Sequence, residues 1–273
     1  MCMSSKPSKM SNTEIYVGEA TYNDKLVHVL AYQNKAITNS PNCMILPFPT
    51  DKKMDDKNVI DTSKFSSFLS DITKASKIET FSDGRRSMTL GAVRASALVF
   101  ESGSYTVVLA NNIDEIPEAL SRVPELKRPS ISNEFLQGFE NLYPNDKIAL
   151  CCWNGTIKPE PLLWWYEPRN KDSLFVPTMD AHDGNSPNIN VKVKTDHLIS
   201  VSHRDDGNNF KVVYKDKIPN NIKSLLPTKV TSAQLDLLML NGDCSISLKY
   251  EFPLLRRGNN FINSLFIKME GWE

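Results

Sequence analysis

The chain has 273 residues, 40% of them hydrophobic and 23% charged, which are ordinary values for a globular fold that needs no metal or disulfide staple at this length. Lys plus Arg and Asp plus Glu number 32 each, so no net field draws the chain onto nucleic acid. Glycine is scarce, at 11 residues against 16 prolines, which argues against glycine-rich phosphate loops and collagen-like repeats. No run approaches 18 apolar residues, so no transmembrane helix is expected.

Residues 1–13 are polar and Ser/Lys-rich, which predicts a disordered tail and no secretory signal. Residues 14–22 and 26–32 alternate around Asn23-Asp24-Lys25 and predict a hairpin. Residues 43–48 read as a short apolar strand, and the charged stretch 51–61 as an exposed loop. Asp61 or Thr62 is placed to cap a helix running to about Ala75, with Phe65, Phe68, Leu69 and Ile72 on one face. Residues 79–87 read as loop and 87–100 as strand. Gly103 turns the chain into a strand over 105–110. Two short helices follow, one over 113–123 opened by Asp114, the other starting at Ser132-Asn133-Glu134. The second carries Phe135, Leu136, Phe139 and Leu142 on one side.

The second half reads as mostly β, with strands over 147–153, 162–166, 174–176, 189–193, 197–202, 210–214 and 245–252. One helix is expected over 232–240, closed by Asn241-Gly242, and residues 261–269 read as a last strand. No repeat of 20–50 residues is present. The expected fold is therefore α+β: a predominantly antiparallel sheet, a β-rich C-terminal half, and three to four short helices packed on it. Residues 14–273 read as a single domain, with packed lobes over 14–145 and 146–273 as the alternative.

Three clusters hold the chemistry. The first is polar and spans 178–207, with His182, His197 and His203 among Asp180, Asp183, Asp196, Asp205 and Asp206. His and carboxylate side chains suit zinc, manganese or iron and also general acid–base work. If 189–193 and 197–202 paired as a hairpin, His182 or Asp183 would face His203 or Asp205. Against this, the Asp-Gly-Asn runs are ordinary turn chemistry, and no HExxH motif or helical histidine pair is present. The second is Trp164-Trp165-Tyr166, bracketed by prolines. Period two puts Trp164 and Tyr166 on one face of a strand and Trp165 on the other, either as a stacking surface or as buried core. The third is Cys151-Cys152, among five cysteines with no CxxC spacing. These read as reduced thiols of a cytosolic protein; a nucleophilic role would need a nearby histidine. His28, within the alternating hairpin strand, reads as a core or edge histidine.

The fingerprints GxxxxGK[ST], GxGxxG and GxSxG are missing. The favoured reading is a non-enzymatic cytoplasmic protein, without cofactor, that binds a protein partner or small molecule through Trp164, Trp165 and Tyr166. Self-association is possible in that reading, with no nucleic-acid or membrane partner. The alternative is a metal-dependent hydrolase, with His182, Asp183, His203 and Asp205 as catalytic candidates and His182, His203, Asp180 and Asp205 as ligands. A cysteine enzyme or redox sensor built on Cys151 or Cys152 is the third.

Overall fold

The long hairpin that opens the fold follows from its alternation and its turn. Asn23 and Asp24 both take positive φ, 49° and 60°, the conformation that a two-residue turn between right-twisted strands demands. In the computed structural model, which describes residues 2–75, 97–202, 210–235, 238–248 and 255–257, the elements are as follows. Strands β1 (Cys2–Met3), β2 (Lys9–Tyr22), β3 (Lys25–Ile37), β4 (Asn42–Phe48) and β5 (Val59–Ile60) precede helix α1 (Phe68–Ala75). Strands β6 (Leu98–Ser102) and β7 (Tyr105–Ala110) lead into helices α2 (Ile116–Ser121) and α3 (Asn133–Leu142). Then come β8 (Lys147–Trp153), β9 (Thr156–Ile157), β10 (Leu162–Tyr166), β11 (Ser173–Val176) and β12 (Asp180–Ala181). Last are β13 (Lys192–Lys194), β14 (His197–Ser202), β15 (Phe210–Lys211), β16 (Lys229–Leu235), β17 (Leu238–Leu240), β18 (Cys244–Ser247) and β19 (Leu255–Arg257).

The largest sheet runs β15-β16-β14-β2-β3-β10-β5, with β9 added to β3. Its pairings are antiparallel except that β14 lies parallel to β2. A second, antiparallel sheet runs β4-β8-β7-β6. Smaller sheets join β11-β18-β19, β13-β17 and, in parallel, β1-β12. The α+β class thus holds. The sheets are mostly antiparallel, with two parallel pairings that the sequence reading lacks. Both large sheets draw strands from both halves of the chain.

Period two sorts the core. Leu30, Tyr32, Ile15, Val17, Trp164 and Tyr166 share one buried cluster with Met44, Leu46, Phe48, Val107 and Leu109 of the four-stranded sheet. Val27, Val29, Ala31, Tyr16 and Leu163, from the opposite face, join Phe65, Phe68, Leu69 and Ile72 around α1, along with Ile222 and Leu225 of the 3-10 turn at Asn220–Leu225. The large sheet is therefore covered on both faces, by α1 and that turn on one side and by the second sheet on the other.

Gly18 marks one close approach. A Cβ there would lie 2.2 Å from Ser202 Oγ and 2.3 Å from Tyr16 Oη, two atoms already hydrogen-bonded to each other at 2.9 Å. Gly18→Ala is expected to lower stability by about 1–3 kcal/mol through overpacking, read as a lower urea midpoint. An unchanged midpoint would show that Tyr16 has room to give way.

Several expectations are corrected. Residues 2–13 are not a disordered tail. Met3 and Ser4 are fully buried, β2 begins at Lys9, and residues 2–8 lie between β4 and β12. Ser4 N–H donates to Ala181 O at 3.0 Å, Ser5 N–H to Cys43 O at 3.3 Å and Ser8 N–H to His182 O at 2.9 Å. Polarity misled here because the serines serve as hydrogen-bond partners. The helix expected over 232–240 is replaced by strand among the described residues: Ser232 and Leu235 belong to β16 and 238–240 to β17. The 235, 238, 239 spacing fits a helix face, but Ser232 and Leu235 are buried opposite Ser200 and His197 of β14. α1 starts at Phe68 rather than near 61, because Asp61 and Thr62 are spent on a turn: Ser63 N–H donates to Asp61 Oδ1 and Thr62 Oγ1 to Pro161 O. Asn112, not Asp114, caps the turn that leads into α2. Most of the expected strand over 87–100, the whole loop 79–87, part of 245–252, and the last strand over 261–269 lie outside the described residues.

Candidate functional site

The hairpin that would have closed the His/Asp cluster does not form. Both edges of β14 are occupied, by β2 and β16, so 192–194 pairs instead with 238–240. The link between them is pinned elsewhere. Asp196 Oδ2 accepts from Asn12 N–H at 2.6 Å, at the bulge of β2 where Asn12 has φ 54°, and Thr195 Oγ1 donates to Leu235 O at 3.0 Å. His197 is buried within β14, in a different sheet from β12, the strand that precedes His182.

His182 follows β12, and its Nε2 lies 3.4 Å from Asp180 Oδ1, both side chains being partly exposed. Asp183 spends its carboxylate on a turn, accepting from Asn185 N–H at 3.0 Å and from Asn185 Nδ2 at 2.8 Å. Those bonds hold its carboxyl below the usual carboxylate range. Gly184, at φ +83°, lets this turn press on the backbone of Lys6. His203, Asp205 and Asp206 lie outside the described residues. Among the described residues no three His, Cys, Asp or Glu side chains converge on one point. What the described part of the cluster does is anchor residues 2–8.

A carboxylate overlooked in the sequence is better connected. Asp243 Oδ1 accepts from the N–H groups of Thr178 and Met179 at 2.8 and 2.7 Å, and Oδ2 accepts from Tyr143 Oη at 2.6 Å. Asn241 clamps the next step, accepting from Asp180 N–H and donating to the carbonyls of Asp180 and Asn188. The signal lay beside Asn241-Gly242, which reads as a helix end and hides the carboxylate that follows it. Burial pushes the Asp243 and Tyr143 groups up, and the Asp146 carboxyl as well, there against the pull of Arg169. Arg169 donates to Asp146 Oδ1 at 2.8 Å and to Asp51 Oδ1 at 2.7 Å. Every atom so named is engaged in holding loops together.

The thiols are packed. Cys43, Cys151, Cys152 and Cys244 are free and buried. Burial pushes the Cys43 thiol up to about 12, against hydrogen bonding from Ser5, and raises Cys151 and Cys152 too. Burial thus disfavours the thiolate form at Cys43, Cys151 and Cys152, and a thiolate is what nucleophilic work requires.

The aromatic run divides as period two predicts, but most of it is core. Trp164 and Tyr166 face the second sheet, fully and almost fully buried, with ring centroids 5.0 and 5.6 Å from Phe48. The three-residue surface is thus reduced to Trp165, partly buried on the other face. Its Nε1 donates to Lys57 O at 2.8 Å, which fixes the indole. Tyr22, missed in the sequence because it sits at the strand end before the turn, lies 5.3 Å away with its ring tilted at 57°. Partly buried Ile60 lies on the same face, and the Lys25–Glu167 ion pair at 2.6 Å borders the shelf.

Comparison with protein families finds no matching family model, and comparisons with curated proteins and with solved structures find no match either. Among the described residues no helix is long and apolar enough to cross a membrane.

Proposed function

We propose that this chain is a single α+β domain acting as a non-enzymatic, cytosolic binding protein, and that Trp165 with Tyr22 forms its recognition shelf. The observation that carries the reading is this partly exposed ring pair, with the Trp165 indole fixed by the Lys57 carbonyl. Large aromatic groups with few rotors lose little entropy on contact and dominate recognition surfaces. The target is a protein side chain or small molecule with a planar apolar face. The Lys25–Glu167 pair would orient its polar edge. Buried, free thiols fit a reducing compartment.

Saturation-transfer NMR with indole, adenosine and glucose as probes tests it. At least one planar probe is expected to contact the protein, and Trp165→Ala and Tyr22→Ala are each expected to weaken that contact about 30-fold, as for an anchor worth about 2 kcal/mol. Undiminished signals in both variants, with the fold retained by circular dichroism, would sink the shelf.

A further inference from the structure

Cys43 and Cys152 stand directly opposite each other on the antiparallel strands β4 and β8. The kind of pair follows from where Cys43 sends its backbone. Its carbonyl accepts from Ser5 N–H at 3.3 Å, and its own N–H donates to Asn42 Oδ1 at 2.8 Å. In an extended strand the N–H and C=O of one residue point the same way, so both face the outer edge of β4, away from β8. The isolated bridge between Ser4 and Met44 fits this alternation. Cys43 and Cys152 are therefore a non-hydrogen-bonded pair, the kind whose Cα atoms approach to about 4.5 Å and whose side chains lie closest. That separation falls inside the window of about 4.4–6.8 Å that a disulfide spans.

We propose that Cys43 and Cys152 are a redox crosslink site, closing to a cross-strand disulfide when the protein meets a disulfide oxidant such as oxidised glutathione. Cys151 is excluded, because it opposes Met44 and points to the other face of β8. The sequence singles out the adjacent pair Cys151-Cys152; the register replaces one member with Cys43.

The chemistry balances in two exchanges. The Cys43 thiol loses its proton to solvent, and the thiolate attacks one sulfur of the glutathione disulfide. One glutathione leaves as thiolate, and a mixed disulfide remains on Cys43. Cys152, deprotonated in turn, attacks the Cys43 sulfur, forms the S–S bond and expels the second glutathione. Two protein thiols are oxidised, one glutathione disulfide is reduced to two thiols, and the two protons end on those thiols. Both protein thiols are buried. The way in is past residues 4–6, the strip that covers the outer edge of β4, so the crosslink forms slowly and faster in mild denaturant.

The test uses the full chain. Incubation with glutathione disulfide at mildly alkaline pH, alkylation of the remaining thiols in denaturant and peptide mass mapping give the answer. Expected is a loss of two hydrogens, a linked peptide pair carrying Cys43 and Cys152, and a raised thermal midpoint that dithiothreitol reverses. Cys151→Ser is expected to keep the link, while Cys152→Ser abolishes it. The map of the unsubstituted chain decides even if a variant fails to fold. A link through Cys151, a glutathione adduct that never closes, or full alkylation of every thiol after prolonged oxidation would each overturn the proposal.

Discussion

Trp164→Ala is expected to cost about 3–5 kcal/mol of folding stability, while Trp165→Ala next door costs about 1–2 kcal/mol. The difference is one of burial. Trp164 has no exposed surface and touches Phe48 between the two sheets. Its neighbours come from β3, β4 and β5, elements tied down by their own ladders, so the void left by the indole cannot collapse. Trp165 loses one hydrogen bond and one ring contact at a surface where water fills the space. Urea unfolding with unchanged slope measures both. Trp164 Nε1 is buried without a hydrogen-bond partner among the described residues. Trp164→Phe therefore removes an unsatisfied donor and is expected to recover most of the loss. Equal costs for the two alanine variants would mean that the faces of β10 are assigned the wrong way round.

Acid is expected to weaken the fold through His28. This residue is buried on β3, edge-on to Tyr166 at 5.8 Å, and its Nε2 has no partner among the described residues. Burial pushes it from 6.5 down to about 4, because the charged imidazolium would lose its hydration there. The unfolded chain takes up a proton near pH 6.5, whereas the folded chain resists until about pH 4. The contribution is thus fully present above pH 6.5, declines as pH falls through that interval, and is gone below about 4. The whole interval is worth roughly 3 kcal/mol. His28→Phe removes the titration at similar size. The stability difference between wild type and variant should shift across pH 6.5 to 4 and stay flat above it. A constant difference over that range would rule His28 out as the acid-sensitive group. Asp146 and Asp243, raised by burial, act in the opposite sense and are common to both proteins, so the difference isolates the imidazole.

What the sequence made legible was local. The β2–β3 hairpin is written in alternation plus Asn23-Asp24, and α3 in the Ser132 side chain that accepts from Phe135 N–H. Period two also separates Trp165 correctly from Trp164 and Tyr166. Which of the two faces meets water was not legible, because it depends on a second sheet whose strands come from residues 42–48 and 98–153. Asp243 escaped notice for the same reason: its partners lie at 143 and at 178–179. The cluster at 180–206 looked dense along the chain, but its described residues are divided between β12 and β14, which belong to separate sheets. Nearness in sequence is a poor guide once both edges of an intervening strand are taken.

The parallel pairing of β14 with β2 carries a cost during synthesis. Leu198 lies opposite Glu14, so one edge of β2 waits for a partner made 184 residues later. At ribosomal speeds of about 5–20 residues per second that wait is about 10–40 s. Throughout it, a long, apolar hairpin presents free N–H and C=O groups to any other extended chain nearby. The nascent polypeptide is thus most prone to aggregation before residue 202 is made, and a chain cut short of that point should accumulate in inclusion bodies.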